Sequence, residues 1–243
     1  LFNSLKNTIG DMGQLDLYFH HFDAQLFMDL VTQSIGKYTD YVIMPFSTPD
    51  SVEMLTLLFE HETVYILDQG KRLYGDMFPS VCQDFEHDIY DGLCQGAELI
   101  KNYASMVMVI DPPANESRRM MTGDMERAFY RFCAQFNLEA QVVHHVSDVS
   151  VESGMCFLIH EDEELVALVG QLETENYRPG RDVGIISFND TPLKEIAVGG
   201  ITTISTDFRF MGQTMGEMIL EHRKDHIRNP FHFIQRNTLK ERE

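Results

Sequence analysis

Short apolar runs alternate with amphipathic segments along almost the whole chain. Between the runs, apolar residues recur at helical spacing, as at Met121, Met125, Phe129 and Phe136. The apolar runs predict strands at Leu15–Phe19, Tyr41–Met44, Thr63–Leu67, Ser105–Ile110, Glu139–Val143, Met155–Ile159 and Val183–Ser187. Continuous apolar strands separated by amphipathic helices indicate an α/β fold whose parallel sheets are covered by helices on both faces.

The first predicted element is a helix over Leu1–Met12. A lobe of this kind normally begins with the strand that feeds its first helix, so we expect that strand to be missing from this chain. Further along, Phe85–Ala104 and the segment from Phe208 onward also read as helices.

The stretch Val183–Phe208 contains the strongest indication of a binding site. The predicted strand Val183–Ser187 is followed by the polar cluster Asn189-Asp190-Thr191, and then by a β-branched run, Ile201–Ile204. Open α/β sheets bind ligands beyond the carboxyl ends of their strands. Polar residues directly after a strand are therefore candidates for ligand contacts.

Composition narrows the class of protein. The apolar fraction of 44% and the charged fraction of 23% are ordinary for a globular chain, and no apolar run approaches the length of a membrane span. The net charge of −19 disfavours binding to a phosphate backbone by this polypeptide. Its four cysteines have no CxxC spacing, which favours buried free thiols in a reducing cytoplasm.

No catalytic or metal-binding motif emerges from the sequence. His222 and His226 are four apart on a predicted helix and could form an edge of a zinc site, but no third ligand is indicated by spacing. Nucleophile-elbow, zinc-protease, phosphate-loop and dinucleotide-binding patterns are not found. We therefore expect no catalytic residue, no metal and no cofactor.

Residues 180–215 contain Ser187-Phe188-Asn189-Asp190-Thr191-Pro192, then Ile201–Phe208, and then Met211-Gly212 and Met215-Gly216. With these residues the segment resembles the effector-binding domain of LacI/GalR-type bacterial transcription regulators, which share the periplasmic sugar-binding-protein fold. The resemblance implies two Rossmann-like lobes of the type I periplasmic-binding-protein kind, joined by three crossovers, with a ligand cleft between them. It places residues 1–80 plus 206–226 in the N-terminal lobe and 81–205 plus 227–243 in the C-terminal lobe.

The resemblance also implies which residues bind the ligand. Asn189 stands where the family has an aspartate, although the residue could simply form an Asx-turn. Arg119 is the first choice and Arg118 the second for binding hydroxyls or a carboxylate through the planar guanidinium group. The alternative is a solvated pair of arginines on the surface. The further candidates, each with a capping, turn or packing role as its alternative, are Asp68, His160, Thr206, Phe46 and Ser47.

The helix after Asp207 places Met211, Met215 and Met218 on one face. Core packing explains most of this stripe, and a homodimer surface is the second interpretation. In the family a helix-turn-helix domain, or a GntR-type winged-helix domain in hybrid members, binds DNA. We expect no such domain within these 243 residues, so contact with DNA would be made only through a further domain of that kind.

The sequence thus predicts a cytoplasmic, homodimeric ligand-sensing domain of a bacterial regulator whose effector is a monosaccharide or a derivative. The alternative is an extracytoplasmic sugar-binding protein of an uptake system, which a signal peptide would distinguish from a regulator with an upstream DNA-binding domain. A third interpretation is a doubly wound enzyme, which turnover of a sugar or nucleotide would reveal.

Overall fold

The computed structural model describes residues 1–45, 49–58 and 62–240. The strands are β1 (Asp40–Ile43), β2 (Thr63–Asp68), β3 (Ser80–Cys82), β4 (Ser105–Val109), β5 (Glu139–Val143), β6 (Met155–Ile159), β7 (Gly184–Phe188), β8 (Thr202–Thr206), β9 (His226–Arg228) and β10 (Phe231–Ile234). The helices are α1 (Phe2–Ile9), α2 (Ala24–Ser34), α3 (Pro49–Leu58), α4 (Lys71–Tyr74), α5 (Phe85–Gln95), α6 (Ala97–Ile100), α7 (Glu116–Phe136), α8 (Asp162–Glu175), α9 (Pro192–Ile196) and α10 (Phe208–Leu220). This arrangement confirms the predicted α/β fold.

The chain divides into two compact units. The first comprises Leu1–Asp84 and Asp207–Pro230, and the second comprises Phe85–Thr206 and Phe231–Glu243. The chain therefore passes from one unit to the other three times. The last passage comes after Pro230 because β9 pairs with β3, which keeps residues 226–228 in the first unit.

The first unit contains a parallel sheet in the order β1-β2-β3-β9. Side chains alternate across the sheet, as the strand period requires. Val64 and Ile66 of β2 pack with α2 and α3, whereas Tyr65 and Leu67 pack with α1 and α10. Two hydrophobic cores result, one on each face of the sheet.

The second unit contains a six-stranded sheet in the order β10-β8-β7-β6-β4-β5. Only the β10–β8 pair of this sheet is antiparallel. Met106 and Met108 of β4 face a core built with α5 and α7, and Val107 and Val109 face a core built with α8. Because β4, β6, β7 and β8 are parallel, their carboxyl ends lie at the same edge of the sheet.

Two details differ from the predictions. Leu15–Phe19 forms no strand, and its Leu17 and Phe19 side chains are exposed. The predicted helix Phe85–Ala104 is divided at Gly96, against which the Phe233 ring packs.

The methionine stripe of α10 agrees with core packing, the main interpretation in the sequence analysis, and not with the second interpretation. Met211, Met215 and Met218 are fully buried in the core of the first unit against α1 and the sheet. They fill that core and do not form a surface on which a second copy could pack.

Cys82, Cys94, Cys133 and Cys156 are free thiols. Burial raises the pKa of Cys133 to about 12 and raises that of Cys156 as well. Such thiols behave as small apolar groups. Among the described helices, none combines the length and the apolar character needed to cross a bilayer.

Candidate functional site

His160, directly after β6, lies in a small network at the carboxyl edge of the second sheet. Its ring stacks on Phe188 with 5.1 Å between centroids and an interplanar angle of 27°. Its Nδ1 lies 2.8 Å from Glu161 Oε1, and Arg118 Nη1 donates to the same oxygen at 3.3 Å. The structure therefore brings the predicted site residues His160 and Arg118 together through Glu161.

The protonation of His160 follows from this setting. Burial lowers the pKa of the imidazole, and the neighbouring Glu161 carboxylate opposes that effect. In the neutral ring, a proton on Nδ1 bonded to Glu161 leaves Nε2 as a hydrogen-bond acceptor. The residue can thus accept a hydrogen bond from a ligand hydroxyl while its ring stays stacked on Phe188.

Asn189 follows β7 in the left-handed backbone region, with a φ of 61°. Asparagine tolerates this conformation better than most residues. Its Oδ1 is buried and accepts no hydrogen bond from any residue that the structure describes. A buried acceptor without a donor is destabilising, so the site favours a ligand that supplies one.

Asp190 has a different role from its neighbour. Arg236 donates two hydrogen bonds to the Asp190 carboxylate, from Nη1 to Oδ1 at 2.7 Å and from Nη2 to Oδ2 at 2.9 Å. Thr203 Oγ1 donates to Oδ1 at 3.0 Å, and the Asp190 N–H donates to Ser205 Oγ at 3.0 Å. The Arg236 guanidinium holds the pKa of Asp190 below its ordinary value. These bonds fix the loop after β7 to β8 and to the chain that follows β10.

The two arginines lie in the first turn of α7, which begins after the Asn115 cap. The Arg118 N–H is bound by Asn115 Oδ1 at 2.9 Å. Arg119 is exposed, and its N–H donates to the Asn115 carbonyl at 2.9 Å. Arg118 is the arginine that contacts the His160–Glu161 pair, although the sequence analysis placed Arg119 first.

Asp68 ends β2 at the carboxyl edge of the first sheet, with a φ of 72°. Gln83 Nε2 donates to Asp68 Oδ1 at 2.6 Å. Burial raises the pKa of the Asp68 carboxyl, and the bond from Gln83 partly opposes this. Gln83 is itself buried, and its Oε1 lacks a hydrogen-bond partner among the described residues. The first sheet thus also presents an unmatched acceptor after its strands.

Of the remaining candidates, Thr206 is the buried last residue of β8 and pairs with Phe231. Phe46 and Ser47 lie outside the described residues. Within the part of the chain that the structure describes, no three His, Cys, Asp or Glu side chains are grouped to hold a metal ion.

Sequence reasoning missed two residues of these strand ends. Gln83 follows β3, whose three residues are too short to produce a strand pattern. Lys194 lies in the polar segment after β7, yet only 5% of its side chain is exposed. A lysine in such a segment normally reads as a solvated charge, so no local signal identified it.

Residues 101–243 match the sequence model of the periplasmic binding protein-like domain, and the chain belongs to that family. A LacI family transcriptional regulator from Silicibacter pomeroyi has a similar fold, with 17% identity, a TM-score of 0.77, and coverage of 98% of this chain and 93% of that one. A probable maltose operon transcriptional repressor from Staphylococcus aureus gives 16% identity, a TM-score of 0.73, and coverage of 98% and 90%.

The Lac repressor dimer bound to operator and the anti-inducer ONPF gives 13% identity, a TM-score of 0.70, and coverage of 97% and 75%. These solved structures establish that the chain shares the fold of LacI-family proteins. No curated protein sequence matches this chain significantly.

Proposed function

We propose that this chain is the ligand-sensing domain of a bacterial transcription regulator and binds a monosaccharide or a close derivative at the carboxyl ends of its parallel strands. The observation that carries the proposal is the buried, unmatched Oδ1 of Asn189 at the carboxyl end of β7. A sugar hydroxyl can donate to this atom, which would remove the penalty of an unsatisfied buried acceptor.

Several further features support a polyhydroxylated ligand. Gln83 Oε1 in the first unit needs a donor in the same way. His160 and Arg118 add an acceptor and a set of donors to the second unit. Hydroxyl groups both donate and accept hydrogen bonds, so a sugar suits this mixture better than a purely anionic or an apolar ligand. The proposed ligand residues are Asn189, Arg118, Arg119, His160, Asp68, Thr206, Phe46 and Ser47, with Gln83 added.

The related folds support the regulatory part of the proposal. The named neighbours are a maltose operon repressor and a Lac repressor dimer on its operator. By analogy, this chain acts in the cytoplasm as a homodimer and contacts DNA through another domain, of helix-turn-helix or GntR-type winged-helix class. The effector would shift an equilibrium between two states only as far as it binds them differently. An extracytoplasmic sugar-binding protein would share the fold, and the free thiols favour the regulator.

A thermal-shift screen tests the ligand class. The panel consists of D-glucose, D-galactose, D-ribose, L-arabinose and maltose, with nucleobases and amino acids as the comparison. We expect at least one sugar to raise the unfolding midpoint in a concentration-dependent way, because a ligand that binds only the folded state stabilises it. A response only to nucleobases or amino acids would overturn the sugar assignment.

Replacing Asn189 by glycine tests the site. The Asn189→Gly change removes the amide but keeps a residue that accepts a positive φ, and we expect the sugar to bind about tenfold more weakly by calorimetry. Asn176→Gly is the matched control, since Asn176 also has a positive φ of 60° at the end of α8. Equal affinity of the Asn189 variant and the wild type would remove Asn189 from the site.

A further inference from the structure

Lys194 is a buried lysine whose three ammonium donors meet three oxygen atoms. Its Nζ donates to the Phe188 carbonyl at 2.8 Å and to the Asn189 carbonyl at 2.9 Å. The third partner is Asp162 Oδ1, at 2.7 Å. An ammonium group has three N–H donors and no acceptor, so this arrangement matches its full hydrogen-bonding capacity.

These partners belong to the ends of two neighbouring strands. Phe188 ends β7 and carries the stacked His160 ring, and Asn189 follows it. Asp162 begins α8, two residues after His160 at the end of β6. A single side chain therefore joins the β6 end to the β7 end, which are the two segments that carry the candidate ligand residues of the second unit.

The ammonium group of Lys194 does more than form a surface ion pair. Asp162 is 66% exposed in its side chain, so water screens its attraction to Lys194. The carbonyls of Phe188 and Asn189, in contrast, receive their bonds from an ammonium that is almost fully buried. Loss of the amine would leave these two carbonyl groups short of a donor. The left-handed Asn189 backbone would keep the bond from its N–H to the Ile204 carbonyl at 2.8 Å and would lose the bond to its own carbonyl.

The helix that carries Lys194 is anchored as well. Thr191 caps α9 by accepting from the Lys194 N–H at 3.4 Å. The Lys194 carbonyl accepts from the Ile201 N–H at 2.8 Å, which ties α9 to the start of β8. The ammonium is thus presented from a fixed backbone, which a positioning group requires.

We propose that Lys194 is a positioning residue of the ligand site, which holds Asn189 and His160 in the arrangement that receives the ligand. This inference rests on the proposed function, in which Asn189 and His160 contact the ligand. Lys194 itself would not touch the ligand. This positioning role differs from general stabilisation of the fold, and a matched pair of variants distinguishes the two roles.

Lys194→Met and Thr238→Val form the matched pair. Methionine fills the volume of the lysine stem without a donor. Thr238 is buried at the opposite end of β7, where its Oγ1 donates to the Ile185 carbonyl at 2.9 Å and accepts from the Thr202 N–H at 2.8 Å. Both variants lose buried hydrogen bonds along β7, and only the first alters the carboxyl end.

We expect Lys194→Met to weaken binding of the responding panel sugar about tenfold or more, as the loss of an orienting charged hydrogen bond implies. Thr238→Val should lower the unfolding midpoint yet keep the dissociation constant within about twofold of the wild type. Wild-type affinity in the lysine variant, or equal weakening in both variants, would overturn the positioning role.

A second measurement works without any ligand. In NMR spectra of the free protein, the ring signals of His160 and the side-chain amide signals of Asn189 should move in Lys194→Met and stay in place in Thr238→Val. Unmoved signals in the lysine variant would refute the inference. If no panel sugar binds the wild type, the proposed ligand class fails, and these spectra still decide the role of Lys194.

Discussion

Two adjacent residues at the end of β7 differ in how their side-chain oxygens are bonded. Both oxygens of Asp190 are bonded by Arg236, and one of them also accepts from Thr203. The side-chain oxygen of Asn189 is buried and unmatched. The carboxylate therefore builds the loop, and the amide next to it keeps its capacity for a ligand.

The Asp190–Arg236 pair predicts a dependence of stability on pH. Because Arg236 lowers the folded-state pKa of Asp190, the pair stabilises fully above the ordinary value of 3.8, and its contribution is lost as pH falls through the lower folded value. We expect Asp190→Asn to lose about 2 kcal/mol of unfolding free energy at neutral pH. The deficit relative to the wild type should shrink below about pH 4. Urea unfolding across this range measures both effects.

Glu98→Gln provides the control for that series. Glu98 pairs with Lys101 on the surface, with 83% of its side chain exposed. Such pairs contribute less than about 1 kcal/mol because water screens them. A pH profile of Asp190→Asn that parallels the wild type into acid would show that the Arg236 pair does not stabilise the fold.

The limits of sequence reasoning are clear at this scale. Asn189 and His160 could be named as candidates because each directly follows an apolar strand, which is a local pattern. Gln83 and Lys194 could not, since nothing in the sequence around them indicates burial. Gln83 bonds Asp68 of another strand, and Lys194 folds back onto the Phe188 and Asn189 carbonyls. Whether a polar side chain is buried depends on tertiary packing, which the local pattern of residues does not determine.

At the scale of elements, buried strands were predicted well and an isolated alternating segment was not. Met155–Ile159 forms β6 as predicted, because its continuous apolar run is flanked by strands on both sides of the sheet. Leu15–Phe19 alternates like a strand but forms none. A strand needs a hydrogen-bonded neighbour, and alternation alone does not reveal whether one is present.

Helix packing in the first unit depends on two glycines of α10. A Cβ added at Gly212 would lie 2.5 Å from the Leu1 carbonyl oxygen and 2.9 Å from the Leu5 nitrogen. Gly216 approaches Thr8 of α1 in a similar way. We expect Gly212→Ala to lower the unfolding free energy by about 1–3 kcal/mol, because backbone atoms must move apart.

Gly170 in α8 provides the opposite case, since a Cβ there meets no atom within 4 Å. Alanine at this position should stabilise the protein by about 0.5–1 kcal/mol through helix propensity alone. Chemical denaturation of the two variants measures the difference. If Gly212→Ala proved as stable as the wild type, α1 and α10 would not pack as closely as the structure shows.

At the scale of the whole molecule, connectivity limits how a ligand can act. The chain passes between its two units after Asp84, Thr206 and Pro230, and each unit has its own cores. The second passage follows β8 directly, on the same stretch of chain that carries Asn189. A ligand bound at Asn189 would therefore contact the stretch of chain that leads directly into the second passage.

Hydrogen exchange can test whether the ligand engages both units. Asp68 ends β2 in the first unit, and Asn189 follows β7 in the second. A sugar bound by both residues should therefore slow amide exchange in Thr63–Asp68 and in Gly184–Phe188. A panel sugar that leaves the unfolding midpoint unchanged is the control and should alter neither segment. Protection confined to one unit would remove either Asp68 or Asn189, whichever lies in the unprotected unit, from the proposed ligand residues.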